Sequence, residues 1–189
     1  MSTQHLSEQE IIRREKRAEL EKMGIDPYPA ALYPVNSTAA YIKENYKGEE
    51  NKAEFADVCL AGRIMSVRDM GKANFAVLQD GSGKIQFYIK QDDICPDEDK
   101  TLYQQVWKRM VDIGDFVGIK GYVFTTKTGE TSVHVKEFSI LSKSLRPLPV
   151  VKEKDGEAFD EVTDPEFRYR QRYADLIVNP GVKDVFIKR

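Results

Sequence analysis

The stretch Asn74-Phe75-Ala76-Val77-Leu78-Gln79-Asp80-Gly81-Ser82-Gly83-Lys84-Ile85-Gln86-Phe87-Tyr88-Ile89-Lys90 decides the fold. Two runs rich in aromatic and branched residues flank Asp80-Gly81-Ser82-Gly83, which is the pattern of a β-hairpin. Residues 74–79 and 84–90 are therefore expected as strands. A tight turn over Gly81 and Ser82 sets Gln79 opposite Lys84. Counting back sets Leu78 opposite Ile85, Val77 opposite Gln86, Ala76 opposite Phe87 and Phe75 opposite Tyr88. Directly opposed residues share one face of a sheet. Leu78, Ala76, Ile85, Phe87 and Ile89 then fill a core side. Phe75, Val77, Gln86 and Tyr88 fall outside.

Working outward, Val58, Leu60, Ile64 and Val67 predict a long preceding strand, with Gly62 as a bend or bulge. Leu102, Val106, Trp107 and Met110 lie at helical spacing, so residues 98–111 are expected as an amphipathic helix. Asp97, Glu98 and Asp99 suit its start. Residues 115–126 read as a fourth strand, Lys127-Thr128-Gly129-Glu130 as a turn, and residues 131–142 as a fifth strand. Val133, Val135, Phe138 and Ile140 are its inward candidates, and the step from Val135 to Phe138 implies a bulge. The order β-β-β-α-β-β gives a mainly-β fold class, a five-stranded OB-fold barrel with flanking helices. Such a barrel binds ligands on the face of its second and third strands. The loops joining strands one to two and four to five flank that face.

Residues 1–55 form an N-terminal helical extension. Ser7-Glu8-Gln9-Glu10 fits a capping box, and the helix runs through Ile11, Ile12, Leu20 and Met23 to a stop at Gly24. Its balanced charges read as a solvated face; the alternative is that Arg13, Arg14 and Arg17 touch a polyanion. A short second helix is expected over residues 38–45, capped by Asn36 or Ser37, and residues 47–52 as a linker. Residues 56–144 are the barrel. Residues 145–189 open with stiff Leu145-Arg146-Pro147-Leu148-Pro149, pass through a charged stretch expected to be mobile, and reach Arg168-Tyr169-Arg170-Gln171-Arg172-Tyr173, where fraying is expected.

Composition excludes several classes. With 41% hydrophobic and 32% charged residues the chain reads as soluble and globular, and no apolar run is long enough to span a membrane. The N-terminus carries no secretory signal pattern, so a cytoplasmic location is expected. Cys59 and Cys95 form no CxxC pair and read as free buried thiols. With His5 and His134 as the only histidines, neither a metal site nor a nucleophilic triad is expected. His134 alternates with inward Val133 and Val135, which gives it a surface role. Leu78 stands where a phosphate-binding GxxxxGK loop needs its first glycine.

The net charge is −2, from 29 basic and 31 acidic residues, so nucleic-acid binding would have to rest on local geometry. An aromatic ring beside an amide can stack on an unpaired base and satisfy its Watson–Crick edge. Five acids of the barrel, Asp92, Asp93, Asp97, Glu98 and Asp99, sit together near the inserted helix. Arg68, Lys72 and Lys127 belong instead to the loops flanking the outer face, where the local field can be positive. Packing of Phe75 and Tyr88 under a loop is the competing reading.

Several stretches resemble one family. Gly62-Arg63-Ile64-Met65, Met70-Gly71-Lys72, Leu78-Gln79-Asp80, Ile85-Gln86, Lys127-Thr128-Gly129-Glu130, Arg146-Pro147-Leu148-Pro149 and Arg168-Tyr169-Arg170-Gln171-Arg172-Tyr173-Ala174-Asp175-Leu176 resemble the N-terminal domain of class II lysyl-tRNA synthetases. The barrel alone would also fit the aspartyl and asparaginyl relatives.

The resemblance implies an anticodon-binding domain for a lysine tRNA with a UUU-type anticodon. It implies that Phe75 stacks on the central uracil, that Gln86 hydrogen-bonds it, and that Arg68 and Glu130 contact anticodon bases or position each other. Arg63, Lys72, Lys127, Arg13, Arg14 and Arg17 are the candidates for tRNA backbone contacts. The parent would be a homodimeric ligase using ATP and Mg2+. Residues 145–189 would be a linker and the start of its catalytic domain, so this chain is expected to bind tRNA, as a monomer, without catalysis. Two other readings stay open: a barrel binding single strands without sequence preference, and a protein-interaction barrel.

Overall fold

The computed structural model describes residues 6–149, 152–154, 157–159 and 164–189. Residues up to Pro147 form one compact unit and those from Leu148 a second.

The first unit begins with helix α1, Glu8–Lys22. Its capping box forms as read: Ser7 Oγ accepts from the Glu10 amide at 3.3 Å, and the Ser7 amide donates to Glu10 Oε2 at 2.9 Å. The helix stops where Gly24 takes φ +77° and the Ile25 amide turns back to the Leu20 carbonyl at 2.9 Å. Helix α2, Ala39–Asn45, is capped by Thr38, not by Asn36 or Ser37. Asn36 is occupied elsewhere: its Oδ1 accepts from the Cys59 amide at 2.7 Å and its Nδ2 donates to the Asp57 carbonyl at 3.0 Å. The stretch expected as a linker forms two short 3₁₀ turns, Gly48–Glu50 and Lys52–Phe55, and the second buries Phe55 in the core.

Five strands follow: β1 Val58–Asp69, β2 Ala73–Gln79, β3 Lys84–Lys90, β4 Phe116–Thr125 and β5 Thr131–Ser142. They close in the order β1-β2-β3-β5-β4, with β3 and β5 parallel and the other pairs antiparallel. β1 serves two neighbours, pairing with β4 through its first half and with β2 through its second. Its bulge falls between Ile64 and Ser66, not at Gly62. Gly62 is needed for close approach instead, since a Cβ there would sit 2.6 Å from the Gln79 carbonyl oxygen. The β5 bulge lies between Val135 and Glu137, as the broken alternation implies.

Between β3 and β4 the chain makes a short turn of helix, Gln91–Ile94, and then a wide helix, Leu102–Met110, in which the Val111 amide reaches the Val106 carbonyl five residues back. It is shorter than the sequence spacing predicts. Tyr103, Val106, Trp107 and Met110 are buried and join one core with Leu60, Ile64, Leu78, Ile85, Phe87, Ile89, Val133 and Val135. Leu20, Ile42 and Phe55 extend that core into the N-terminal segment. Cys59 and Cys95 are free and buried.

In the second unit, Lys152–Lys154 pairs antiparallel with Glu157–Phe159, within the charged stretch expected to be mobile. Residues 155–156 and 160–163 of that stretch lie outside the described residues. Pro165–Arg170, Arg172–Val178 and Pro180–Lys188 are helical where fraying was expected. Asp175 organises the first two of these segments, accepting from Arg168 Nε at 3.0 Å and Asn179 Nδ2 at 2.7 Å, and pairing with Arg172. Burial alone would raise its carboxyl pKa, but these bonds outweigh it and hold the group below the usual range. Among the described residues no helix is long and apolar enough to cross a membrane.

Candidate nucleic-acid interface

The β2–β3 hairpin has the register counted from its turn, with Gln79 opposite Lys84, Val77 opposite Gln86 and Phe75 opposite Tyr88. Asp80 fixes that turn: its Oδ1 accepts from the amides of Ser82 and Gly83 at 2.7 and 2.9 Å, and its Oδ2 takes the Ala39 amide of α2 at 2.7 Å. Burial pushes the Asp80 carboxyl up, but the hydrogen bonds from Ala39, Ser82 and Gly83 prevail and hold its pKa low.

Period two then places Phe75 and Gln86 on the outer face, where a groove of about 700 Å³ opens. The Phe75 ring is half-buried, 4.9 Å from the Tyr88 ring at 47°. Tyr88 in turn meets His134 edge-on at 5.1 Å and Phe124 at 6.3 Å. Arg68 and Met70 line the groove from the β1 end, and Thr126, Lys127 and Thr128 from the β4–β5 loop. Phe75 is therefore neither sealed in the core nor capped by a loop.

Gln86 is oriented from below. Ser132, opposite it in the parallel β3·β5 pairing and fully buried, donates its hydroxyl to Gln86 Oε1 at 2.8 Å. The acceptor end of the amide is thus occupied, and its NH2 is the end left to donate to a ligand.

His134 lies on the outer face, as expected, and lines the groove, but its ring is partly covered. Its side chain is 16% exposed, stacked on Tyr122 at 4.7 Å, with Nδ1 2.9 Å from the Tyr122 hydroxyl and Nε2 2.6 Å from Asp93 Oδ2. The alternation was read correctly; what covers the ring is the turn at Gln91–Ile94, which brings Asp93 onto it. Burial would raise the Asp93 carboxyl, but the bond from His134 and the charge of Lys136 hold it low.

The charged candidates separate into two kinds. Arg68 and Lys127 are exposed at the groove and have no ion-pair partner among the described residues. Glu130 sits in the β4–β5 loop with its carboxylate 3.6 Å from Lys43 of α2, and it forms no ion pair with Arg68. Lys72 is exposed in the β1–β2 loop but lines a different concavity. Arg63 lies 4.2 Å over the Phe116 ring and donates to the Gly114 carbonyl at 2.8 Å, and burial lowers its pKa. Arg13 is only 6% exposed and donates to the carbonyls of Ser144 and Ile113 at 3.1 and 2.9 Å. Arg13 is thus buried against the fold, and Arg63 is half-buried against it. Arg14 and Arg17 are half-buried on α1, Arg14 donating to the Glu10 carbonyl at 3.0 Å and Arg17 standing 3.6 Å from Glu21.

Sequence reasoning did not single out Tyr122, Phe124 or Ser132. The alternation Tyr122-Val123-Phe124 could have placed both aromatics outside. Nothing local marks Ser132, because its role depends on how the barrel closes.

Residues 58–141 match the tRNA anticodon family, an OB-fold nucleic acid binding domain. Curated relatives named lysine–tRNA ligase match along the chain. The one from Porphyromonas gingivalis is 61% identical over 189 residues, covering all of this chain and 32% of its own length. That from Azobacteroides pseudotrichonymphae is 56% identical, covering 97% of this chain and 36% of the relative. That from Christiangramia forsetii is 55% identical, covering 98% and 32%. The chain spans about a third of the length of these relatives.

Proposed function

We propose that this chain, whose residues 58–141 belong to the tRNA anticodon family of OB-fold domains and which resembles lysine–tRNA ligases along its whole length, reads the anticodon of a lysine tRNA on behalf of such a ligase. The observation that carries this reading is the Phe75 ring at the groove beside an amide whose acceptor end is already held by Ser132.

An extruded base stacks on Phe75, a contact that contributes about 1–3 kcal/mol. Uracil offers two carbonyl acceptors and one ring N–H. Gln86 Nε2 donates to a carbonyl. Cytosine carries an amino donor where uracil has O4, so it sets donor against donor and leaves both unpaired. Arg68 is a second donor at the groove, and the Glu130 carboxylate accepts from a base N–H once it leaves Lys43. Lys127 and Lys72, with Arg14 and Arg17 of α1, are the remaining candidates for phosphate contacts.

The parent activity, activation of lysine with ATP and Mg2+ and its transfer to tRNA, is part of the same proposal. Among the described residues no group of three or more His, Cys, Asp or Glu is placed to hold a metal ion. His5 lies outside those residues. In this proposal the residues of this chain bind and orient RNA. The reading also gives a cytoplasmic protein, a homodimer for the whole ligase and a monomer for these 189 residues, which a solution mass measurement tests.

The decisive experiment titrates the chain with anticodon stem-loops differing only in the central base. Tighter binding of U than of C is expected. Equal binding of poly-U and poly-C would identify a generic single-strand binder. No binding even at low salt would point to a protein-interaction barrel.

A further inference from the structure

The barrel carries a second concavity, of about 550 Å³, lined by Lys72, Gln91, Tyr103, Gln104, Lys108 and Arg109. The β1–β2 loop divides it from the groove: Met70 lines the groove, while Gly71 and Lys72 line the second concavity.

Its walls are fixed by buried bonds. Tyr103 is 1% exposed, and its hydroxyl lies 2.6 Å from Asn74 Oδ1 and 3.1 Å from the Gly71 carbonyl. Trp107 Nε1 donates to the same Asn74 oxygen at 2.9 Å. Asn74 Nδ2 and the Gly71 amide both donate to Asp69 Oδ1 at 2.8 Å, and the Gln91 amide donates to the Lys72 carbonyl at 2.9 Å. The wide helix Leu102–Met110 thereby holds the loop between the two concavities.

Charge there is unbalanced. Three cations meet one nearby carboxylate, Asp69, whose Oδ2 is 3.4 Å from Lys108. Asp92, the next acid along the rim, is drawn to Lys90 and Lys100 at 3.7 and 3.9 Å. Lys72 and Arg109 are exposed and have no ion-pair partner among the described residues. Two amides, Gln91 and Gln104, add neutral donors.

We propose that this concavity is a phosphate site, which takes a backbone phosphate of the RNA as the strand leaves the groove across the β1–β2 loop. The inference rests on the anticodon reading of the groove. Lys72 and Arg109 hold the phosphate from two elements that Tyr103 and Asn74 lock together. The site adds grip and register to recognition and carries no base preference, because phosphates are alike in every sequence.

The test measures binding of the lysine-tRNA anticodon stem-loop over a series of KCl concentrations. Each phosphate contact removed makes the slope of log K against log salt shallower by about 0.7–0.9. The Lys72→Ala/Arg109→Ala variant loses that one contact and should therefore lose about 0.7–0.9 of slope while keeping the parent's U-over-C preference. Lys72→Arg/Arg109→Lys should retain the slope. A control, Lys47→Ala/Lys52→Ala, removes the same charge from residues that line neither concavity and should leave it unchanged. An unaltered slope in the first variant, or an equal fall in the control, overturns the site. A parent chain without central-base preference, together with a slope change confined to the first variant, breaks the anticodon reading and leaves the phosphate site standing.

Discussion

Two polar assemblies in this molecule treat charge in opposite ways. Under α1, Lys143 Nζ is wholly buried, 2.5 Å from Asp112 and 2.7 Å from Asp115. Lys16 closes on Asp112 at 2.5 Å, and the Asp115 oxygens also accept from the amides of Asp112 and Ser144 at 2.8 Å. Arg13 adds its bonds to the carbonyls of Ile113 and Ser144. In the groove, by contrast, Arg68, Lys127 and the NH2 of Gln86 have no partner among the described residues, while the Gln86 acceptor is tied down. The reason is solvation. An unpaired charge out of water costs several kcal/mol, so the buried set must satisfy itself, whereas a half-open groove can keep donors in reserve. Polar side chains therefore build a brace in one place and line an open groove in the other. What separates the two is unused hydrogen-bonding capacity.

The largest way to break this contrast is Lys143→Met. It leaves the buried Asp115 carboxylate without its cation and Asp112 with Lys16 alone, and should cost about 3–5 kcal/mol in urea unfolding at neutral pH. A loss below about 1 kcal/mol would mean that the cluster is not the brace described. Phe75→Ala attacks the other side. It should weaken stem-loop binding by about 1–3 kcal/mol, read by titration. Because the ring is half-buried, unfolding should show less than the roughly 3–5 kcal/mol that truncating a core phenylalanine costs. A variant that loses stability but not affinity would reassign Phe75 to packing.

The two assemblies also differ in how far the sequence exposes them. Phe75 and Gln86 are legible because a tight turn fixes register and period two fixes the face. The bulge in β5 is legible because Val135 and Phe138 are three apart and both apolar. The Ser132–Gln86 bond is not, since no local turn sets the register of the parallel β3·β5 closure. Arg13 was misread from its charge, although it stands seven residues before Leu20 and so shares that residue's inward stripe. Asn74 gave a signal: by parity it lies on the core side, where a polar group must find partners, but Tyr103 and Trp107 are distant in sequence. In each case the illegible part is a long-range pairing, and the legible part is a local period.

Ser132→Ala sharpens the comparison from within the groove. Ser132 is buried, so it acts through Gln86 by fixing which end of the amide faces outward. Without the hydroxyl the amide can present either its donor or its acceptor to the base. The U-over-C preference should fall by about 0.5–1.5 kcal/mol, the usual contribution of one hydrogen bond, while affinity for the U stem-loop changes less. A uniform loss with both bases would assign Ser132 to the fold alone.

The smallest effect belongs to the edge of the brace. Burial acts to raise the Asp112 carboxyl, but the hydrogen bonds and charges of Lys143 and Lys16 overcome it and hold the pKa below the ordinary value. A carboxyl lowered in the folded state contributes stability above its unfolded pKa of about 3.9 and loses it as pH falls through the folded value. Lys16→Met removes one of the two cations and leaves Lys143 in place. The Lys16 side chain is 25% exposed, so the variant should lose about 1 kcal/mol or less at neutral pH. Measured by urea unfolding across pH, that difference should hold steady down to about pH 5, shrink below about pH 4, and close only as pH falls through the lowered folded value and Asp112 is protonated in both proteins. A gap that stayed constant into acid would show that Lys16 contributes through its aliphatic stem and not its charge. The brace would then be held by Lys143 alone.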